Sequence, residues 1–296
     1  FVATGIGTDN SDSGANSTVP MNNPSLRPLR ITSLNDFTNA LAFGQALDLL
    51  PKGAKDALAK ATLNLSSQQA ARINNMALSE QFSFLVGCGM EKNKEFTNGA
   101  TGVDPRQDAD AQAIYGITAA SGVTTSQVVE STLVYNALMG NSGPATMRVG
   151  GADYHNGNYT DGNTYDRRIG ERVGRALSLA ARKGKPVLIE LISDGSLQGN
   201  GTGWTGDTNT GGRILIYFKP DAPPTIRRAP QIGFATAGQA AATTTFLGNQ
   251  GSPVPTYVAF YQWLAIQGKE ALFRNYVTET MMPSPAGGLP ALKFWG

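Results

Sequence analysis

One cysteine, one histidine and a charged fraction of 16% are all that this 296-residue chain offers in those categories, and each scarcity excludes a class of protein. A zinc cluster needs several thiolates or imidazoles and a disulfide framework needs paired cysteines, so the chain fits neither. Cys88, in Val86-Gly-Cys-Gly-Met90, has no partner and reads as a small buried hydrophobe. Lys and Arg number 24 against 22 Asp and Glu, a net charge of +2. Without a basic excess to grip phosphates, no nucleic acid is expected as a partner. Globular chains are usually about 25% charged, so this surface is solvated mainly by amides and hydroxyls and repels its neighbours weakly. No run of 18 apolar residues occurs, so no transmembrane helix is expected. The chain opens on Phe1 and not on Met, which suggests a removed leader and an exported protein.

What is present reads as α/β. The 41% of hydrophobic residues suffices for a sizeable core. Phe1 to Gly7 has strand character and feeds the turn-forming Thr8 to Gly14. Ser33 and Asp36 have capping-box spacing before Leu34, Phe37, Leu41, Leu47 and Leu50, which predicts a helix from about 34 to 50, ended by Pro51. A second helix is expected from Ser66 on the spacing of Ile73, Ala77, Phe82 and Leu85. Asp104-Pro105 reads as an N-cap with Pro at the first helical position, opening a helix to about Ala120.

Thr146 to Gly151 is expected as a strand, Ala152 to Asn163 as a polar loop, Tyr165 to Lys183 as an amphipathic helix and Pro186 to Ile192 as a strand buried on both sides. That order is a βαβ unit. With Arg213 to Phe218 as a further strand, the region implies a mainly parallel central sheet flanked by helices. Tyr257 to Gln267 is expected as a helix with Trp263 and Leu264 in the core or an interface.

Ligands collect at the carboxyl ends of strands in open α/β sheets. Three polar segments follow expected strands: Asp9-Asn-Ser-Asp12, Asp153-Tyr-His155 and Ser193-Asp194-Gly-Ser196. If they meet, Asp9, Asp153, His155 and Asp194 could hold one divalent cation, with oxygen ligands that suit Mg²⁺ or Ca²⁺ and one imidazole that also suits Zn²⁺. No Gly-x-Ser-x-Gly elbow, Walker A loop or dinucleotide fingerprint is present.

The order Gly150-Gly-Ala-Asp-Tyr-His155, then the helix to Lys183, then Pro186-Val-Leu-Ile-Glu-Leu-Ile-Ser-Asp-Gly-Ser196 resembles uncharacterised secreted bacterial proteins related to the alkaline phosphatase and sulfatase superfamily. The resemblance covers residues 110 to 220 and implies one alkaline-phosphatase-like α/β domain over 1–296. That domain would have a helical insertion at about 34–120 and a Pro-rich extended segment at about 219–256. It implies that Asp9 is the first-strand carboxylate, Asp153 and His155 the middle pair, and Asp194 the residue in the family's Ser-Glu position. It also implies Ser11 or Ser193 as nucleophile. The family's later Gly-Thr-Asp-His-Gly motif corresponds here to Asn200 to Asp207, which has no His, so the usual two-metal site is not complete.

Three functions follow as expectations. The first is a periplasmic, extracellular or cell-surface subunit that has lost the two-metal site and associates with itself or with other surface proteins. The second is a metal-dependent phosphate or sulfate ester hydrolase with a reduced single-ion site. The third is a carbohydrate- or peptide-binding module with Tyr154, Tyr159 and Trp204 as its stacking surface.

Overall fold

In the computed structural model, the residues described are 5–8, 28–41, 102–150, 159–192, 196–199, 204–207, 213–227, 231–234, 236–237, 242, 244–247 and 253–295, with five isolated helical positions between 54 and 68. The expected helix from Ser66 lies outside them. The chain divides into two compact units, residues 1–11 with 21–148, and residues 12–20 with 149–296.

The first unit is built on a three-stranded parallel sheet. Its strands are β1 (Ile6–Gly7), β2 (Leu29–Arg30) and β3 (Ala145–Thr146), with β1 in the centre. Gly5 permits the close approach to β3, since a Cβ there would stand 2.9 Å from the Pro144 carbonyl oxygen. Helix α1 (Leu34–Leu41) begins where the capping box predicts. Asp36 N–H donates to Ser33 Oγ at 3.2 Å, and Asp36 Oδ2 accepts from Ser33 N–H at 2.9 Å. The same oxygen also accepts from the Thr32 amide at 2.7 Å and the Thr32 hydroxyl at 2.8 Å. Burial pushes the Asp36 carboxyl up, but the hydrogen bonds with Thr32 and Ser33 outweigh it and hold the group below its ordinary value.

The Asp104-Pro105 signal is also borne out, in a shorter form. Asp104 caps a 3₁₀ turn, Pro105–Gln107, and Asp108 then caps α2 (Ala109–Tyr115). Gly116, at φ 64°, ends α2 well short of Ala120, because a left-handed residue cannot continue a helix. Helix α3 (Ser126–Leu138) follows, with every residue from Val128 to Asn136 buried. Ile6, Ile31, Phe37, Val103, Val129 and Leu133 form the core between sheet and helices. Asn136, fully buried on α3, donates to the Val103 and Thr132 carbonyls at 3.0 and 2.8 Å and accepts from Asn141 at 3.0 Å.

The second unit opens with α4 (Tyr159–Arg182), which begins six residues before the expected Tyr165, so Tyr159 to Asn163 are helical and not loop. Strand β4 (Val187–Ile192) follows, then a hairpin of β5 (Ser196–Gly199) and β6 (Trp204–Asp207), then β7 (Arg213–Phe218). The expectation of a parallel β4 is overturned: β4 pairs antiparallel with β7 over six residue pairs, Val187↔Phe218 to Ile192↔Arg213. An apolar run specifies a strand but not its partner's direction. The two strands form a ribbon of their own, and neither is buried on both faces.

Helix α5 (Pro253–Ile266) and the short α6 (Phe273–Tyr276) complete the unit. Val254, Val258, Tyr261, Leu264, Phe273, Val277, Met282 and Leu292 are its core. Gln262, fully buried among them, donates through Nε2 to the Leu292 carbonyl and accepts from Phe294 N–H at 2.9 Å. One side-chain amide thus holds the chain where the 3₁₀ turn Leu289–Leu292 gives way to extended backbone. Lys293 Nζ donates to Glu270 Oε1 at 2.8 Å, and Trp295 bridges to Ile226 and meets the Tyr217 ring at 5.6 Å. The chain is therefore mixed α/β with a small parallel sheet flanked by helices, plus a separate antiparallel ribbon.

Candidate functional site

Residues Asp9, Ser11, Asp153, Tyr154, His155, Ser193 and Asp194 lie outside the described residues. Tyr159 opens α4 and Trp204 opens β6. The strands that deliver two of the polar segments are in view. β1 and β3 are adjacent and parallel, so the chain leaves both at the same edge of the sheet. There Thr8 N–H donates to the Thr146 carbonyl at 3.2 Å, and Arg148 N–H donates to Thr8 Oγ1 at 3.1 Å. The third polar segment follows β4, which belongs to the antiparallel ribbon. Among the described residues no three of His, Cys, Asp and Glu gather as ligands for an ion.

The ribbon itself carries two chemically opposite faces, because successive side chains alternate across a strand. Leu188, Glu190 and Ile192 share one face with Arg213, Leu215 and Tyr217. On it Arg213 Nε stands 3.7 Å from Glu190 Oε1, with 12% and 17% of the two side chains exposed. Thr256, in the first turn of α5, donates its hydroxyl to Glu190 Oε1 at 3.4 Å. Burial pushes Glu190 up, and Arg213 and Thr256 only partly oppose it, so its carboxyl sits above the ordinary value. Burial likewise lowers Arg213 against the pull of Glu190. Desolvation outweighs attraction for both partners, which makes the pair a register lock and a poor source of stability. One carboxylate salt-bridged to a guanidinium also lacks the second acid or base that general acid–base chemistry needs.

The opposite face is entirely apolar: Val187, Ile189 and Leu191 of β4 with Ile214, Ile216 and Phe218 of β7. None of the six is buried, and Ile214 is 59% exposed. Helix α4 packs against β4. Ile226 at 64% and Phe234 at 59% also stand exposed in this unit, and Leu272, Tyr276 and Met281 do so to a lesser degree.

Sequence reasoning missed the Glu190–Arg213 pair and Gln262. Each had a signal: Glu190 is the one charge inside Val-Leu-Ile-Glu-Leu-Ile, and Gln262 is the one amide inside Tyr-Val-Ala-Phe-Tyr-Gln-Trp-Leu-Ala-Ile. A polar residue within an apolar run must find a partner when buried. No protein family, curated protein or solved structure matches this chain.

Proposed function

We propose that the protein is an exported, alkaline-phosphatase-like chain that has lost the two-metal site and serves as an assembly subunit of a periplasmic, surface or extracellular structure. The observation that supports this reading is the apolar face of the β4–β7 ribbon, on which Ile214 is exposed and the other five side chains are half-buried. Apolar side chains left open to solvent on one face mark sites of association. The low charge of the chain, 16%, adds little repulsion between copies. Fully burying an isoleucine is worth about 1.5–3 kcal/mol, so covering the exposed part of Ile214 contributes about 1–2 kcal/mol per copy. Light scattering over a concentration series tests it. Wild type should self-associate, and Ile214→Asp should weaken association by about tenfold or more, since a charge then enters the contact. A wild type that stays strictly monomeric at high concentration refutes the reading.

A second reading is favoured by the shared edge from which the chain leaves β1 and β3. It is a single-ion hydrolase of phosphate or sulfate esters. Asp9, Asp153, Asp194 and His155 would hold the ion, a donor set that fits one Mg²⁺ or Ca²⁺ better than a zinc pair. Bound there, a divalent ion supplies Lewis-acid polarisation of the ester. Ser11 or Ser193 would supply the attacking hydroxyl. Elemental mass spectrometry of protein purified without chelators should then find one ion per chain, lost together with ester hydrolysis in Asp153→Ala/His155→Ala. No bound metal, or activity unchanged in that variant, removes this reading.

A further inference from the structure

Helix α4 and the two lysines after it hold seven cations, Arg167, Arg168, Arg172, Arg175, Arg182, Lys183 and Lys185, against three carboxylates, Asp161, Asp166 and Glu171. The whole chain carries only +2, so this stretch is basic and the rest of the chain is net acidic. The charge is also ordered. At 100° per residue, positions 160, 164, 168, 171, 175, 178 and 182 fall within about 80° of one another and form one stripe along the helix. Its side chains are Thr, Thr, Arg, Glu, Arg, Ser and Arg, all exposed or half-buried. Its one carboxylate, Glu171, has Arg167 at 3.8 Å, and both are exposed. The Tyr165 ring holds the Arg168 guanidinium 5.1 Å from its centroid, which limits the freedom that side chain would lose on binding.

Arg168, Arg175 and Arg182 are seven residues apart, so they repeat every ~10.5 Å along a rigid rod. That interval is the length of an extended disaccharide. We propose that this stripe binds a linear acidic polysaccharide carrying one carboxylate or sulfate per disaccharide, with the arginines taking successive anions and the hydroxyls of Thr160, Thr164 and Ser178 meeting sugar hydroxyls. Nucleic acid fits less well, because its phosphates recur every ~3.4 Å along each strand. A membrane surface fits less well too, because an interfacial helix inserts its apolar face, and α4 buries Ala176, Leu179 and Ala180 in the protein.

The inference rests on the exported-subunit reading only for where such a polymer would be met. The test is calorimetric titration of the full chain with hyaluronan oligosaccharides, in wild type and in Arg168→Gln/Arg175→Gln/Arg182→Gln, with thermal unfolding as the folding control. Wild type should bind, less tightly as salt rises. The triple variant should bind about tenfold or more weakly, because two exposed guanidiniums and the half-buried Arg175 no longer meet the polymer's anions. Binding unchanged in a folded triple variant overturns the proposal, as does equal or tighter binding of single-stranded oligonucleotide or of anionic phosphatidylserine vesicles. If the triple variant fails to fold, Arg168→Gln/Arg182→Gln, at the two exposed positions, takes its place under the same criterion. Ile214→Asp separates the two readings: it should lose self-association and keep hyaluronan binding, so that either property can fail without the other.

Discussion

Gln262 offers the sharpest test of how the second unit is held together. Its amide is fully buried and makes two hydrogen bonds to one segment, donating to the Leu292 carbonyl and accepting from Phe294 N–H. Gln262→Leu keeps the volume and removes both partners. If the segment stays in place, a buried carbonyl and a buried N–H go unpaired, at about 1–3 kcal/mol each. If it peels away, the unit loses the burial of Leu292, worth about 2 kcal/mol, and the Tyr217–Trp295 ring contact, worth about 0.5–1.5 kcal/mol. The chain takes the cheaper route, so the expected loss is about 2–4 kcal/mol in urea unfolding, with faster amide exchange at Phe294. Gln262→Glu adds a pH dependence. A protonated carboxyl can donate to Leu292 and accept from Phe294, whereas a carboxylate cannot donate. That variant should approach wild-type stability at about pH 4 and lose it as pH rises, because the folded state then favours the proton. A Gln262→Leu protein within about 0.5 kcal/mol of wild type would refute the reasoning.

Two further outcomes rest on carboxyls shifted in opposite directions, Asp36 and Glu190. Asp36 is held below its ordinary 3.8, so its contribution is present above that value and lost as pH falls through the folded one. Asp36→Asn should cost about 1 kcal/mol at neutral pH and nothing near pH ~2, as measured by chemical unfolding at the two values. Glu190 is raised above its ordinary 4.5, so the folded state prefers the proton and stability declines as pH climbs from about 4.5. Glu190→Gln should remove that part of the slope in a pH series of thermal unfolding, and a slope identical to wild type would exclude Glu190 as its source.

Local chemistry was readable where a few neighbouring residues decide the outcome. The Ser33–Asp36 box, the Asp104-Pro105 cap and the bounds of β7 follow from side chains within a turn of each other. Helix α3 was not readable, since it is buried all round and its apolar residues have no face to favour. The start of α4 was hidden for the opposite reason: Thr160, Asp161, Gly162 and Asn163 are poor helix formers, held in the helix by its context. The direction of β4 depends on β7, more than twenty residues on, and no property of Val187 to Ile192 encodes that choice. For the candidate ligands, the sequence supplies the residue types and the fold supplies the adjacency of β1 and β3.

That adjacency also imposes a schedule on synthesis. Ile6 makes its contacts in the sheet with Leu29 and Ala145, and the second of these is made long after the first. Until then a fully apolar side chain, buried to 0% in the finished protein, has to be kept from other chains. For this protein, one edge of β1 stays open until residue 146 has been made, and a polypeptide cut short of Ala145 would leave that edge bare.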